Sequence, residues 1–158
     1  MAGKWAAVSM IVILAVAGCG SSSDEGVDEP STSVCAETCS GKEVTDTGCD
    51  KGAVDAVPAK PVRIDATLHG QLGVRKSNPA VCSNIYWVKF VPDPDNTSAF
   101  EVRIAVDGKA AKAQPSEPGN PALTAWTVGV HVAPGQMISA CLGSPANTQT
   151  CLEDTKAA

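Results

Sequence analysis

The sequence predicts an all-β fold: a small disulfide-stapled β-sandwich or barrel behind an N-terminal cysteine-rich loop. Three observations predict it. Short runs of alternating apolar and polar residues recur from Val62 onward, each bounded by Gly, Pro, Asn or Asp. No long stretch carries the 3.6-residue apolar period of a helix. Six of the seven cysteines lie downstream of a polar segment, in a number that pairs off completely.

Two segments precede the fold. Lys4 gives a short basic start, and Trp5 to Ala17 is apolar apart from Ser9. A bilayer-spanning helix needs about 20 apolar residues, so this run is too short and fits the core of an export signal. Val16-Ala17-Gly18-Cys19 resembles the bacterial lipobox, in which a small residue precedes a cysteine that receives a diacylglycerol group. A thiolate is the strongest nucleophile available there. Residues 1–18 are therefore expected as a lipoprotein signal peptide and Cys19 as the lipidation site. The membrane is the partner reached through that lipid, and the head is expected in the cell envelope, outside the cytoplasm. Residues 19–33, rich in Gly, Ser, Asp, Glu and Pro, read as a tether.

The remaining chain, about 125 residues, is long enough for one domain. The chain carries a net charge of −5, and loss of the leader, which holds Lys4 and no acid, takes it to −6. Nucleic-acid binding needs a basic face, so that class of partner is excluded. Cys35, Cys39, Cys49, Cys82, Cys141 and Cys151 read as disulfide candidates, because paired cysteines belong to exported chains. Sequence alone leaves fifteen pairings open.

Residues 34–152 are expected as the globular head. Val34 to Cys49, VCAETCSGKEVTDTGC, is polar and Gly-punctuated and reads as a stapled loop with one helical turn. DKGAVDAVPAKP reads as irregular or briefly helical, stopped by Pro58 and Pro61. VRIDATL then alternates, with Val62, Ile64, Ala66 and Leu68 on one face; Gly70 and Gly73 read as a bend, after which VRKS continues the strand. NIYWVKFV, rich in β-formers, is closed by PDPDN. FEVRIAV meets Asp107-Gly108, a hairpin-turn signal, with KAAKAQ as a weak return strand. Gln114–Pro121 is a loop. LTAWTVGVHVA reads as one long strand with Thr124, Trp126, Val128, Val130 and Val132 on one face. QMISACL, after Pro134-Gly135, is the last strand, and residues 153–158 form a polar tail.

Cys35 and Cys39, the run CSGKEVTDTGC from Cys39 to Cys49, Cys82 with Trp87 in CSNIYWVKF, and MISAC from Met137 to Cys141 together carry a resemblance. They are similar to the DUF2690 family of exported or membrane-attached domains, related to YjfA-type secreted proteins. The likeness spans roughly Cys35 to Leu142 and is most specific in the Cys39–Cys49 loop. Glu43-Val44 stands where the family usually has Asp-Pro, the Cys82–Trp87 spacing is one residue longer, and the segment from Asp93 to Pro121 is longer than is typical. The resemblance implies an extracytoplasmic, disulfide-bonded domain. It implies no activity, since the family has none established.

Reactive chemistry finds few footholds in the chain. Cys35-x-x-x-Cys39 with His69, His131 and Met137 supplies the elements of a copper site, but disulfide pairing would remove the thiolates. Asp93 to Asn96 begins like a calcium loop, then places Ser98 where Gly and Ile104 where Glu are required, so it reads as a turn. No Gly-x-Ser-x-Gly or Ser-x-x-Lys motif occurs. The acid pairs Asp24/Glu25 and Glu153/Asp154 fall in tether and tail, where no pocket shifts their pKa values. Trp87 and Trp126 read as core, with carbohydrate or protein contact as the functional alternative. The expectation is therefore a non-catalytic binding or structural surface module, with no cofactor and no metal, directed at an envelope or extracellular protein or glycan. The alternatives are an inhibitor presenting the SGKEVTDTG loop to an extracellular enzyme and, less favoured, a copper carrier.

Overall fold

Two antiparallel sheets face each other across a shared apolar layer in the computed structural model, which describes residues 35–110, 123–143 and 148–158. The signal peptide 1–18, Cys19, the tether 19–33 and the loop Gln114–Pro121 lie outside the described residues. A 3-10 turn (Glu37–Cys39) and α1 (Val44–Thr47) come first. The strands are β1 (Val54–Ile64), β2 (Thr67–Lys76), β3 (Ile85–Pro92), β4 (Glu101–Val106) and β5 (Lys109–Ala110). After them come β6 (Ala125–Trp126), β7 (Val130–His131), β8 (Met137–Gly143), β9 (Gln149–Cys151) and β10 (Thr155–Lys156). The first sheet has the order β1-β2-β3-β6, with β7 also on β3; the second has β10-β8-β4-β5, with β9 also on β8. This is the sandwich form of the expected all-β class.

Alternation sets the inner face. Leu72 and Val74 of β2 and Tyr86, Val88 and Phe90 of β3 point inward from the first sheet. Val102, Ile104, Ile138, Ala140 and Leu142 meet them from the second. Burying the Val, Leu, Ile and Phe side chains among them contributes about 1.5–3 kcal/mol each. The Phe90 and Phe100 rings meet edge to face with centroids 4.5 Å apart, which adds about 0.5–1.5 kcal/mol.

Four segments depart from the sequence expectation, each for a local reason. Strand β1 runs through Pro58 and Pro61. It lies at the sheet edge, where a missing N–H breaks no ladder, and its register shifts between Val57 and Lys60, around Pro58. VRIDATL is not one strand but the end of β1, a tight turn and the start of β2. Asp65 and Ala66 take φ of 52° and 66°, and the Arg63 guanidinium donates to the Ala66 carbonyl at 3.1 Å. That turn carries no Gly or Asn to announce it. LTAWTVGVHVA is split into β6 and β7 by a bulge at Thr127–Gly129.

Finally, residues 153–158 are not a loose tail. Thr155 pairs with Ile138 and Lys156 with Met137, while Ala157 is buried in the core. Backbone hydrogen bonds join Gly135 N–H to the Ala157 carbonyl at 3.0 Å and Ala157 N–H to the Gln136 carbonyl at 2.8 Å. The segment is short and polar, so periodicity could not reveal a two-residue strand.

The Asp107-Gly108 hairpin forms as expected, with φ of 50° and 72°. The Asp107 carboxylate accepts hydrogen bonds from the Met137 backbone N–H and the Gln136 amide, each at 2.9 Å. These donors, Met137 first, hold its pKa below the usual carboxylate value. A lowered folded-state pKa gives stabilisation that is present above the unfolded pKa and lost as pH falls through the folded one. The protection factor of the Met137 amide, its exchange rate referred to the intrinsic rate at the same pH, should therefore fall on acidification below the ordinary Asp range, and Asp107→Asn should abolish that acid limb. An unchanged acid limb in the variant would assign it to another group.

Candidate binding site

The cysteine-rich segment folds onto one end of the first sheet's outer face. Cys35 stands at disulfide distance from Cys39, Cys49 from Cys82 and Cys141 from Cys151, with Cα separations of 5.8, 5.4 and 4.0 Å. All six downstream cysteines are thereby taken. Cys39, Val44, Cys49 and Cys82 pack with Ile85 and Trp87 into a second, smaller core. Ile85 and Trp87 alternate with Tyr86 and Val88, so this core lies on the opposite side of β3 from the main one. Hydrogen bonds from Gly41 N–H to the Gly129 carbonyl (2.8 Å) and from Gly129 N–H to the Lys42 carbonyl (2.9 Å) fasten the loop to the segment between β6 and β7. The approach is close enough that a Cβ on Gly129 would lie 2.7 Å from a methyl of Ile85.

A cleft of about 190 Å³ opens beside this docked segment. Val44 and Thr45 of α1, with Asp50, line it from the docked segment, and Arg75, Trp87, Lys89 and Trp126 line it from strands β2, β3 and β6. A second hollow of about 160 Å³ continues along the sheet, sharing Arg75 and Lys89 and adding Asp55, Gln71 and Val91. Arg75 is held in place, with Nη1 2.6 Å from Asp55 Oδ1 and Nη2 2.7 Å from the Ala53 carbonyl oxygen. Lys89 is exposed and forms no ion pair among the described residues.

Trp126 reaches this face because of the bulge. Lys89 pairs with Trp126 and Phe90 with Ala125, whereas Tyr86 pairs with Val130 and Ile85 with His131. Three steps along β3 are therefore matched by four along its partner, one residue too many for a regular ladder. The Thr127 hydroxyl stabilises the irregularity: it accepts from Val88 N–H at 3.1 Å and donates to the Val128 carbonyl at 3.0 Å. The phase reverses across the bulge. Ala125 and Thr127 are buried on one side of it, Val130 and Val132 on the other, and Trp126 keeps 37% of its surface exposed. The expectation that Trp126 shares the core face with Val130 and Val132 is corrected. Trp87, 4% exposed, is packed as expected.

The remaining candidates are dispersed. His69 is buried with Nδ1 3.1 Å from Asn96 Oδ1. It thus fastens the Asp93–Asn96 turn, where the Asp93 carboxylate accepts from Asp95 N–H at 3.1 Å. His131 lies beside Ile85, whereas His69 adjoins Gly70, the partner of Pro92. The length of β3, roughly 23 Å at strand rise, separates the two histidines. Met137 belongs to the second sheet. Asp154 accepts a hydrogen bond from the Ser139 hydroxyl, while Asp24 and Glu25 lie outside the described residues.

The sulfurs of Cys35, Cys39, Cys49 and Cys82 all lie within 4.8 Å of one another. Reduced, they would offer a tetrathiolate set of the kind zinc takes; paired, they offer no thiolate. The SGKEVTDTG loop does not project as an extended segment. Its middle is α1, resting on the sheet through Val44.

Sequence reasoning does not single out Arg75 and Lys89. The signal for Lys89 is the alternation of Trp87, Lys89 and Val91 against the inward Tyr86, Val88 and Phe90, and that for Arg75 is its place next to the inward Val74 of β2. No protein-family model matches the chain, and neither a curated protein nor a solved structure shows a match to it.

Proposed function

We propose that this chain is a lipid-anchored cell-envelope protein whose extracytoplasmic head is a non-catalytic binding module. One observation carries the reading: the six cysteines after the tether take one another as partners, leaving Cys19 as the odd residue, directly behind the lipobox-like Val16-Ala17-Gly18. Disulfides persist in oxidising compartments, and a seventh cysteine at that position has a lipid to receive. The likeness of CSGKEVTDTGC to the DUF2690 loop favours the same exterior setting.

Binding is favoured over catalysis by how the polar groups are employed. His69 is committed to Asn96, and Arg75 to Asp55 and the Ala53 carbonyl. The cleft beside α1 is walled by a segment fixed through Cys49–Cys82, so little conformational freedom would be lost on binding.

Fractionation with mass analysis tests the anchor. The intact protein should partition into membranes, carry an acyl-glyceryl addition at Cys19 and show no free thiol. Cys19→Ser should release an unacylated, still fully paired protein from the membrane. Recovery of wild-type protein unacylated in the cytosol, with reduced thiols, would end this reading.

A further inference from the structure

We infer that the cleft between α1 and Trp126 is a glycan-binding site, taking a pyranose ring of a cell-envelope polysaccharide against the exposed indole of Trp126. This deepens the binding-module reading and rests on it for the location of the ligand. The one-residue bulge at Thr127–Gly129 turns a large aromatic out of an otherwise inward-facing valine pattern. A tryptophan at 37% exposure leaves apolar surface in water that a repacked strand would have buried. Bulges recur where a side chain is re-aimed toward a site, and departures from local rules concentrate at functional positions.

The neighbours select the class of ligand. The C–H face of a pyranose is apolar and flat, matching an indole, while its rim bears hydroxyls that both donate and accept. The cleft supplies both complements: Lys89 donates, as do the Arg75 N–H groups not engaged by Asp55 and Ala53, the Asp50 carboxylate accepts, and the Thr45 hydroxyl does either. A purely apolar peptide would leave these groups unpaired on binding, at a cost. A long anionic partner would meet Asp50 and Asp55 as well as the two cations. Mixed-sign polar groups around one aromatic platform fit a neutral or singly charged sugar best. The second hollow, sharing Arg75 and Lys89, extends the site along the sheet, so a chain of sugars fits better than one ring.

The walls are already in place. Cys49–Cys82 and the paired Gly41, Lys42 and Gly129 backbone bonds hold α1 against the sheet, and Thr127 holds the bulge. A preformed cleft with few convergent polar groups is the usual architecture of a ligand site.

The test uses the full chain solubilised in detergent, with chitotetraose and cellotetraose as soluble neutral probes and purified insoluble cell-wall glycan as a solid one. At least one probe should bind, shifting tryptophan emission through Trp126. Trp126→Ala should weaken that binding roughly tenfold or more, and Lys89→Ala several-fold, with thermal unfolding and thiol pairing unchanged. The Cys19→Ser protein should bind as well as wild type, so a failed anchor and a failed glycan site give different results. Absence of binding to every probe, or binding indifferent to Trp126→Ala, would overturn the proposal. So would an envelope protein captured through Trp126 in the absence of glycan affinity.

Discussion

Gly70→Ala should be among the most damaging single-methyl additions to this protein, lowering stability by roughly 2–6 kcal/mol, the sum of two separate costs. Gly70 has φ of 149°, a region close to glycine-only, and forcing a side chain there costs about 1–3 kcal/mol. A Cβ would also fall 2.2 Å from the Val91 carbonyl oxygen, 2.7 Å from Pro92 Cα and 2.9 Å from Asp93 N. All three are backbone atoms and none can rotate away, so overpacking adds about 1–3 kcal/mol more. The strain would spread to the neighbouring hydrogen bond from Asp93 N–H to the His69 carbonyl and so to the buried His69–Asn96 pair. Against a typical total of about 5–15 kcal/mol, the upper part of that range unfolds the domain. Chemical denaturation would measure it, with Gly108→Ala as control, since a Cβ there meets nothing within 4 Å. Equal losses in the two variants would mean that the close approach at Gly70 carries no energy.

The same residue marks a limit of reading this fold from its sequence. Gly70 and Gly73 suggest a bend, yet β2 passes through both. Gly73 permits the edge strand to come near instead, a Cβ there lying 3.0 Å from the Val57 carbonyl oxygen. A glycine says that something approaches, not what. The strands that alternate cleanly, β3 and β4, are legible because one face of each meets the core while the other meets solvent or the second core. Strand β1 is hidden by prolines that are harmless only at an edge, and edge position is a property of the assembled sheet. The Asp65-Ala66 turn is hidden because its residues are ordinary and the hairpin imposes their positive φ.

Site legibility follows the same division. The cysteines declare a stapled head, but their pairing depends on which strands become neighbours: Cys141 and Cys151 oppose one another only because β9 returns beside β8. Trp87 is packed, as its alternating apolar strand implies. Periodicity groups Trp126 with the valines because a two-residue period contains no sign of an inserted residue. The bulge that re-aims it exists only in the pairing with β3.

The pairing of Cys49 with Cys82 offers the largest effect that joins stability to the site. Replacing both by alanine should cost about 3–4 kcal/mol, because the pair closes a loop of sequence separation 33 and loop entropy grows with the logarithm of that length. The same relation gives about 2–3 kcal/mol for Cys141–Cys151, at separation 10, and about 2 kcal/mol for Cys35–Cys39, at separation 4. Alanine suits this test because Cys49 and Cys82 are fully buried, where a serine hydroxyl would add an unpaired polar group. The loss should also be local. The main sandwich core draws on none of the six cysteines, whereas the second core is built from Cys39, Val44, Cys49, Cys82, Ile85 and Trp87. The double variant should therefore release α1 first, exposing Trp87 to water and removing the wall that carries Thr45 and Asp50, while the β signal persists. Tryptophan emission should shift to the red at a denaturant concentration below the loss of strand ellipticity, and glycan affinity should disappear with the first transition. Coincident transitions would mean that the cysteine-rich segment and the sandwich unfold as one unit, and the cleft would then owe its shape to the whole domain instead of this single staple.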